Sequence, residues 1–152
     1  MSEFNTVSIL AKRTEERIEK TLNALYQMLT EQNLTVLADK NAAQHLAIDA
    51  YEDDYLVKTT DLAIVVGGDG TLLRAARLFT PYHIPIVGIN LGRLGFLVDV
   101  SPDEMDHLLK QILQGDYLAE SRFLLEARVF RGDTLLGQAD AVNDVVIHVR
   151  ND

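Results

Sequence analysis

The fold of this chain is decided by residues 61–71, which read Asp-Leu-Ala-Ile-Val-Val-Gly-Gly-Asp-Gly-Thr. Leu62 to Val66 is a short, uninterrupted apolar run, which predicts a strand buried on both faces, as in a parallel sheet. Three glycines follow within four residues, and they predict a sharp turn with positive φ angles and close approach of a ligand to the main chain. Apolar residues then recur at helical spacing from Leu72 to Phe79, so we expect the turn to open a helix.

This predicted turn suits an anion. A strand, a glycine turn and a helix N-terminus together present backbone N–H groups and a positive dipole end, most naturally to a phosphate. Asp69 lies inside that positive region, where its carboxylate would repel a phosphate unless it binds a metal or accepts a proton. The stretch therefore indicates a phosphate site with a chemically active carboxylate.

The composition narrows the class of protein. The chain has 152 residues, of which 47% are hydrophobic and 24% charged, and its formal net charge is −9. This acidic balance argues against nucleic-acid and anionic-membrane partners. Cysteine is absent, which excludes disulfides and thiolate sites. Without a leader-like N-terminus or a run of ~18 apolar residues, we expect a cytoplasmic soluble protein.

Strands and helices alternate over the first part of the chain. Strands are predicted at residues 7–11, 34–38, 62–66 and 86–91. The helix after the first strand has one apolar stripe, formed by Ile18, Leu22, Leu25 and Leu29. We therefore predict an α/β fold with a doubly wound, mostly parallel sheet.

Two helix starts and one loop complete this domain. Thr14 is a candidate N-cap for the first helix. Ser101, Pro102 and Glu104 together predict a capping box with proline at the first helical position. The segment from residue 39 to 60 is less regular, and its acidic stretch at residues 51–54 is interpreted as a solvated surface loop.

After Tyr117 the apolar period changes to two. We predict a first strand over residues 123–130, a turn at residues 131–133, a second strand over 134–139 and a third over 141–149, with no helix between them. Because so few strands cannot form a stable sandwich, a second all-β domain is expected to begin here and to be truncated. The predicted domains are residues 1–119 and 120–152.

Common nucleotide motifs do not fit the glycine turn. Leu73 stands where a dinucleotide fingerprint needs its third glycine, and no Gly-Lys-Ser/Thr follows as in a P-loop. A tight strand-to-helix turn with an incidental aspartate remains the alternative.

Three ordered blocks resemble NAD kinases. Residues 67–77, Gly-Gly-Asp-Gly-Thr-Leu-Leu-Arg-Ala-Ala-Arg, resemble the signature of the GGDGT kinase superfamily, which also includes lipid kinases and 6-phosphofructokinases. Residues 88–97, Gly-Ile-Asn-Leu-Gly-Arg-Leu-Gly-Phe-Leu, and residues 141–148, Ala-Val-Asn-Asp-Val-Val-Ile-His, resemble two segments found in NAD kinases. The chain resembles the N-terminal portion of a bacterial-type NAD kinase.

The resemblance implies transfer of the ATP γ-phosphoryl group to the 2′-hydroxyl of the adenosine ribose of NAD, which makes NADP. Asp69 would orient or deprotonate that hydroxyl, and it is also the candidate ligand for Mg²⁺ or another divalent cation. Gly67, Gly68 and Gly70 would let the backbone approach the nucleotide.

The resemblance also implies contacts from outside the turn. Arg74 would direct a cation toward phosphate, and Phe96 would form an apolar wall against a ring of the dinucleotide. Asn143 and Asp144 would hydrogen-bond the ribose or the adenine, although the family usually has Glu at the second position. The alternatives are that Arg74 and Arg77 are solvated helix residues and that Phe96 belongs to the core.

Other functions stay open at this point. One alternative is a lipid or sugar kinase of the same superfamily, and another is a non-catalytic nucleotide-binding module. The family commonly forms dimers or tetramers, so a homo-oligomer is expected for the full-length protein. Because much of the NAD site would lie in the missing β domain, the 152-residue chain alone is predicted to have little or no kinase activity.

Overall fold

The computed structural model describes residues 3–13, 18–91, 97 and 100–148. The chain forms two compact units, Met1–Leu118 and Ala119–Asp152. The predicted N-cap Thr14 and residues 92–96 of the 88–97 block lie outside the described residues. None of the helices in the described ranges has the length and apolar character needed to cross a membrane.

The first unit alternates strands and helices. In chain order its elements are β1 (Thr6–Ala11), α1 (Ile18–Glu31), β2 (Thr35–Ala38), α2 (Lys40–Leu46), α3 (Asp53–Thr59), β3 (Leu62–Gly67), α4 (Asp69–Phe79), a 3₁₀ turn (Thr80–Tyr82), β4 (Ile86–Asn90) and α5 (Met105–Leu113). The predicted strands therefore form within one residue of their expected bounds.

The four strands form one parallel sheet in the order β2-β1-β3-β4. Ile9 pairs with Ile64 across the two central strands, and Ile64 pairs with Val87 on the next strand. Because β2 and β4 extend the sheet in opposite directions from β1 and β3, the strand order reverses between the two central strands. The predicted doubly wound, mostly parallel sheet is confirmed.

Helices cover both faces of the sheet. One face of β1 and β3 packs with α1, α2 and α5, and the opposite face packs with α3 and α4. The apolar stripe of α1 is fully buried as predicted, since its four members Ile18, Leu22, Leu25 and Leu29 are each 0% exposed. This burial on both faces explains why the β3 segment has no polar residue between Leu62 and Val66.

Two predictions about where helices begin in this unit are wrong. Residues 51–54 are not all loop, because α3 begins at Asp53. The helix expected at Pro102 begins at Met105, after a turn, although the Ser101 hydroxyl still donates to Glu104 Oε2 at 2.6 Å. This bond joins two side chains one turn before the α-helix begins, whereas the predicted capping box would bond each side chain to a backbone N–H.

The second unit contains a β-hairpin. Strands β5 (Leu125–Arg131) and β6 (Thr134–Ala141) pair antiparallel around a two-residue turn in which Gly132 has φ 58°. The hairpin turn predicted at residues 131–133 is confirmed. The predicted third strand is absent over residues 142–148, where the described backbone has no ladder partner.

Candidate functional site

The candidate site lies at the carboxyl ends of β1 and β3. In open parallel sheets, ligands bind outside the carboxyl ends of the strands where the strand order reverses, and here the reversal falls between these two strands. The Lys12 N–H donates to Val66 O at 3.0 Å, which keeps the chain beyond β1 beside the end of β3. The topology therefore predicts a ligand site at the glycine turn that follows β3.

The turn is short and its backbone is unstrained. β3 ends at Gly67 and α4 begins at Asp69, so only Gly68 separates strand from helix, with φ −124° and ψ −169°. Within the described residues, positive φ angles among glycines occur only at Gly115 and Gly132. The prediction of positive φ in this turn is wrong, because one extended N-cap residue is enough to redirect the chain.

The three glycines have different roles. A Cβ at Gly67 would lie 2.6 Å from Thr71 Oγ1 and 3.0 Å from Thr71 Cβ, so the close packing of α4 on the strand end requires glycine there. A Cβ at Gly68 or Gly70 would meet nothing within 4 Å. The backbone at Gly68 and Gly70 therefore borders open space, whereas Gly67 is closely packed.

Asp69 is the first residue of α4 and is half-buried. Its Oδ1 accepts a hydrogen bond from the Leu97 N–H at 3.2 Å. Leu97 is the last residue of the 88–97 block that resembles NAD kinases, so the structure brings the end of that block to the predicted catalytic carboxylate. This contact restrains the carboxylate at the positive end of the helix.

Arg74 lies just over one turn further along α4 and pairs with two carboxylates. Its Nη1 is 2.6 Å from Asp39 Oδ2, and its Nη2 is 3.4 Å from Asp53 Oδ1. Its side chain is 44% exposed. Arg74 is therefore not simply a solvated helix residue, whereas Arg77 on the same helix is exposed.

Asp39 is the site residue that the sequence reasoning missed. Its side chain is only 2% exposed. Oδ1 accepts the Ala42 N–H at 2.8 Å, which caps α2, and the Ala11 N–H at 3.3 Å. An aspartate directly after an apolar strand and before an Ala-rich helical segment is an N-cap signal, so its cap could have been predicted, but its pairing with Arg74 could not.

The remaining predicted site residues belong to other segments of the chain. Phe96 is outside the described residues. Asn143 and Asp144 belong to the second unit, follow β6 and are exposed, and Asn143 Nδ2 lies 3.3 Å from Asp144 Oδ2. Across the described ranges, no cluster of three or more His, Asp or Glu side chains could hold a metal ion.

The chain matches the family model described as the ATP-NAD kinase N-terminal domain over residues 7–117. It is 41% identical over 151 residues to the NAD kinase of Saccharophagus degradans, covering 97% of this chain and 51% of that protein. It is 43% identical over 148 residues to the NAD kinase of Tolumonas auensis, covering 95% and 50%. The chain thus spans about half the length of the curated relatives it matches.

Solved structures agree in fold. Yeast NADH kinase complexed with NADH superposes with a TM-score of 0.80 at 19% identity, covering 91% of this chain and 47% of that one. The NAD kinase from Archaeoglobus fulgidus in complex with ATP gives a TM-score of 0.59 at 22% identity, covering 86% and 45%. At these identities the likeness establishes the fold alone. With the family model covering most of the first unit, the chain belongs to the ATP-NAD kinase N-terminal domain family.

Proposed function

We propose that the full-length protein carrying these residues is an NAD kinase, which transfers the ATP γ-phosphoryl group to the 2′-hydroxyl of the adenosine ribose of NAD. The observation that carries the proposal is the position of Asp69, at the N-terminus of α4 and at the point where the strand order reverses. Family membership and relatives named NAD kinase support the same reaction.

In this proposal Asp69 acts on the acceptor hydroxyl. Phosphoryl transfer depends mainly on positioning and on electrostatic stabilisation, so the protein must orient the attacking oxygen. A carboxylate restrained through the Leu97 N–H can hold the hydroxyl by a hydrogen bond and accept its proton as the new O–P bond forms. The leaving group is ADP, and the product is NADP.

A divalent cation such as Mg²⁺ fits this site as a companion of the nucleotide. Mg²⁺ commonly retains several waters and takes one or two protein carboxylates together with substrate phosphates. Asp69 could supply one such ligand, and the described residues offer no larger ligand cluster. When bound, the cation would neutralise phosphate charge that Asp69 otherwise repels.

Other contacts complete the proposed site. Gly68 and Gly70 leave room for the nucleotide beside the backbone, and Gly67 keeps α4 close to β3. We assign phosphate binding to Arg74. The apolar wall is assigned to Phe96, and ribose or adenine contacts to Asn143 and Asp144, from a second domain over residues 120–152 that follows the α/β domain of residues 1–119. The enzyme would act in the cytoplasm as a dimer or tetramer and supply NADP.

The test offers NAD, diacylglycerol and fructose 6-phosphate side by side to the full-length protein with labelled ATP and Mg²⁺. Label in NADP alone supports the proposal, whereas label in the lipid or the sugar phosphate identifies the alternative acceptor. No label in any acceptor, from a protein that still binds nucleotide, would favour the non-catalytic module. The 152-residue chain tested alone is expected to show little or no turnover.

A further inference from the structure

The two carboxylates that contact Arg74 differ in burial. Asp39 is 2% exposed and lies 2.6 Å from the guanidinium, whereas Asp53 is 56% exposed and lies 3.4 Å from it. The two ion pairs are therefore unequal in strength, because a buried short pair is poorly screened and an exposed long pair is strongly screened. A ligand that competes for Arg74 would displace Asp53 first.

Asp39 is held too firmly to separate from Arg74. Its carboxylate accepts N–H groups from the end of β1 and from the first turn of α2, and it also binds a side chain of α4. Separating Arg74 from it would leave a buried carboxylate without its cation, which is strongly unfavourable. Asp39 thus joins three elements and fixes Arg74 at the edge of the sheet.

Asp53 can separate from Arg74 at a small cost in free energy. It lies in the first turn of α3, where the helix dipole stabilises a carboxylate that has no cation. Its contact with Arg74 is at the long end of the ion-pair range. Solvent can hydrate its oxygens once the pair opens, because more than half of its side chain is exposed.

The net charge of Arg74 and its two carboxylates explains why one carboxylate must be displaced before a phosphate binds. Asp39, Asp53 and Arg74 together carry a net charge of −1, so the closed group does not attract a phosphate. Arginine has five N–H donors in a planar fork, so it can keep one carboxylate while binding a phosphate oxygen pair. Resting on the phosphate-binding role proposed for Arg74, we propose that Asp39 is its positioning residue and that Asp53 is a counter-ion which the phosphates of ATP or NAD displace.

The first experiment compares Asp53→Asn with Asp54→Asn in the full-length protein. Asp54 is also exposed and lies in the first turn of α3, so both variants remove the same charge from the same helix end. ATP and NAD are titrated separately by calorimetry, with adenosine as a ligand that lacks phosphate. We expect Asp53→Asn to tighten binding of at least one phosphate ligand by about two- to fivefold relative to Asp54→Asn, with adenosine unchanged.

Three results of that comparison would overturn the inference. Equal tightening in both variants would indicate a long-range charge effect, and unchanged or weaker binding in Asp53→Asn would show that nothing is displaced. A folded wild-type protein that binds neither ATP nor NAD would also contradict it. Because the readout is binding, a protein that binds ATP but does not phosphorylate NAD refutes the proposed function and still tests this inference.

The second experiment is a double-mutant cycle of Asp39→Asn and Arg74→Gln. Asparagine caps a helix as well as aspartate does, so Asp39→Asn removes the charge while keeping the cap on α2. If Asp39 acts through Arg74, Asp39→Asn weakens binding of the phosphate ligand that Asp53→Asn binds more tightly, and it has no further effect in the Arg74→Gln background. Equal weakening in both backgrounds would show a purely structural role, and no weakening in either would contradict a positioning role.

Discussion

The close approach of Gly67 to Thr71 predicts that Gly67→Ala destabilises the fold. The new Cβ would lie 2.6 Å from Thr71 Oγ1, well inside the 3.4 Å at which ordinary contact begins. Rotation of the Thr71 side chain can move Oγ1 away, but Thr71 Cβ, at 3.0 Å, is fixed to the helix backbone. Because α4 must shift away from β3, we expect the free energy of unfolding to fall by about 1–3 kcal/mol, the usual cost of overpacking.

The matched control is Gly70→Ala. A Cβ at Gly70 meets nothing within 4 Å, and the residue lies in the first turn of α4. Alanine is the better helix former, so this variant should be neutral or stabilised by up to about 1 kcal/mol. Gly67→Ala and Gly70→Ala are the same substitution made three residues apart. Only Gly67→Ala is expected to lower the free energy of unfolding.

A second-site variant identifies the cause. Thr71→Ala removes the oxygen at 2.6 Å but keeps the Cβ at 3.0 Å, so it should recover part of the stability lost in Gly67→Ala. The assay is urea unfolding of the full-length protein, followed by circular dichroism. Gly67→Ala unfolding at the wild-type urea concentration, or Gly67→Ala and Gly70→Ala shifting equally, would refute the packing argument.

Three further predictions concern other parts of the first unit. Asp39→Ala should lower the free energy of unfolding by about 2–3 kcal/mol, because it removes a helix cap and buried hydrogen bonds; the same urea assay giving less than half that loss would contradict the bonding described for Asp39. Phe79→Ala should lower the free energy of unfolding by about 3–5 kcal/mol, since Phe79 is 0% exposed. Its control Tyr82→Ala, at a 53% exposed position, should change the free energy of unfolding by less than about 0.5 kcal/mol. Partial burial and the hydrogen bond to Glu3 raise the pKa of Tyr117, so Glu3→Gln should lower that pKa; ultraviolet titration of the two proteins should show this difference, and it should be absent in the Tyr117→Phe background.

The central strands β1 and β3 could be predicted because they are buried on both faces. Leu62 to Val66 contains only apolar residues, and β3 runs Leu62–Gly67. Such runs are typical of parallel strands, and a single parallel sheet with helices between its strands follows from their alternation. The hairpin turn at Gly132 could be predicted for a similar local reason, since its turn residues follow a period-two segment.

The errors arose where local signals were weak or depended on distant contacts. Helix α3 has only seven residues and begins within an acidic stretch, which is also typical of loops. The pairing of Arg74 with Asp39 joins residues 35 apart in sequence, and no local pattern encodes it. The glycines correctly predicted a turn between β3 and α4, but packing against Thr71, rather than positive φ, requires Gly67.

NADP formation by the full-length protein and its Asp69→Asn variant tests the central claim most directly. Asparagine keeps the size of the side chain and an oxygen that can accept the Leu97 N–H, but it cannot accept a proton. Loss of a general base typically lowers the rate by about 10²- to 10⁴-fold, so we expect turnover to fall by that factor while NAD binding is retained. Asp103→Asn, at an exposed position in the turn before α5, should leave turnover unchanged. An Asp69→Asn enzyme that makes NADP at the wild-type rate would contradict the account.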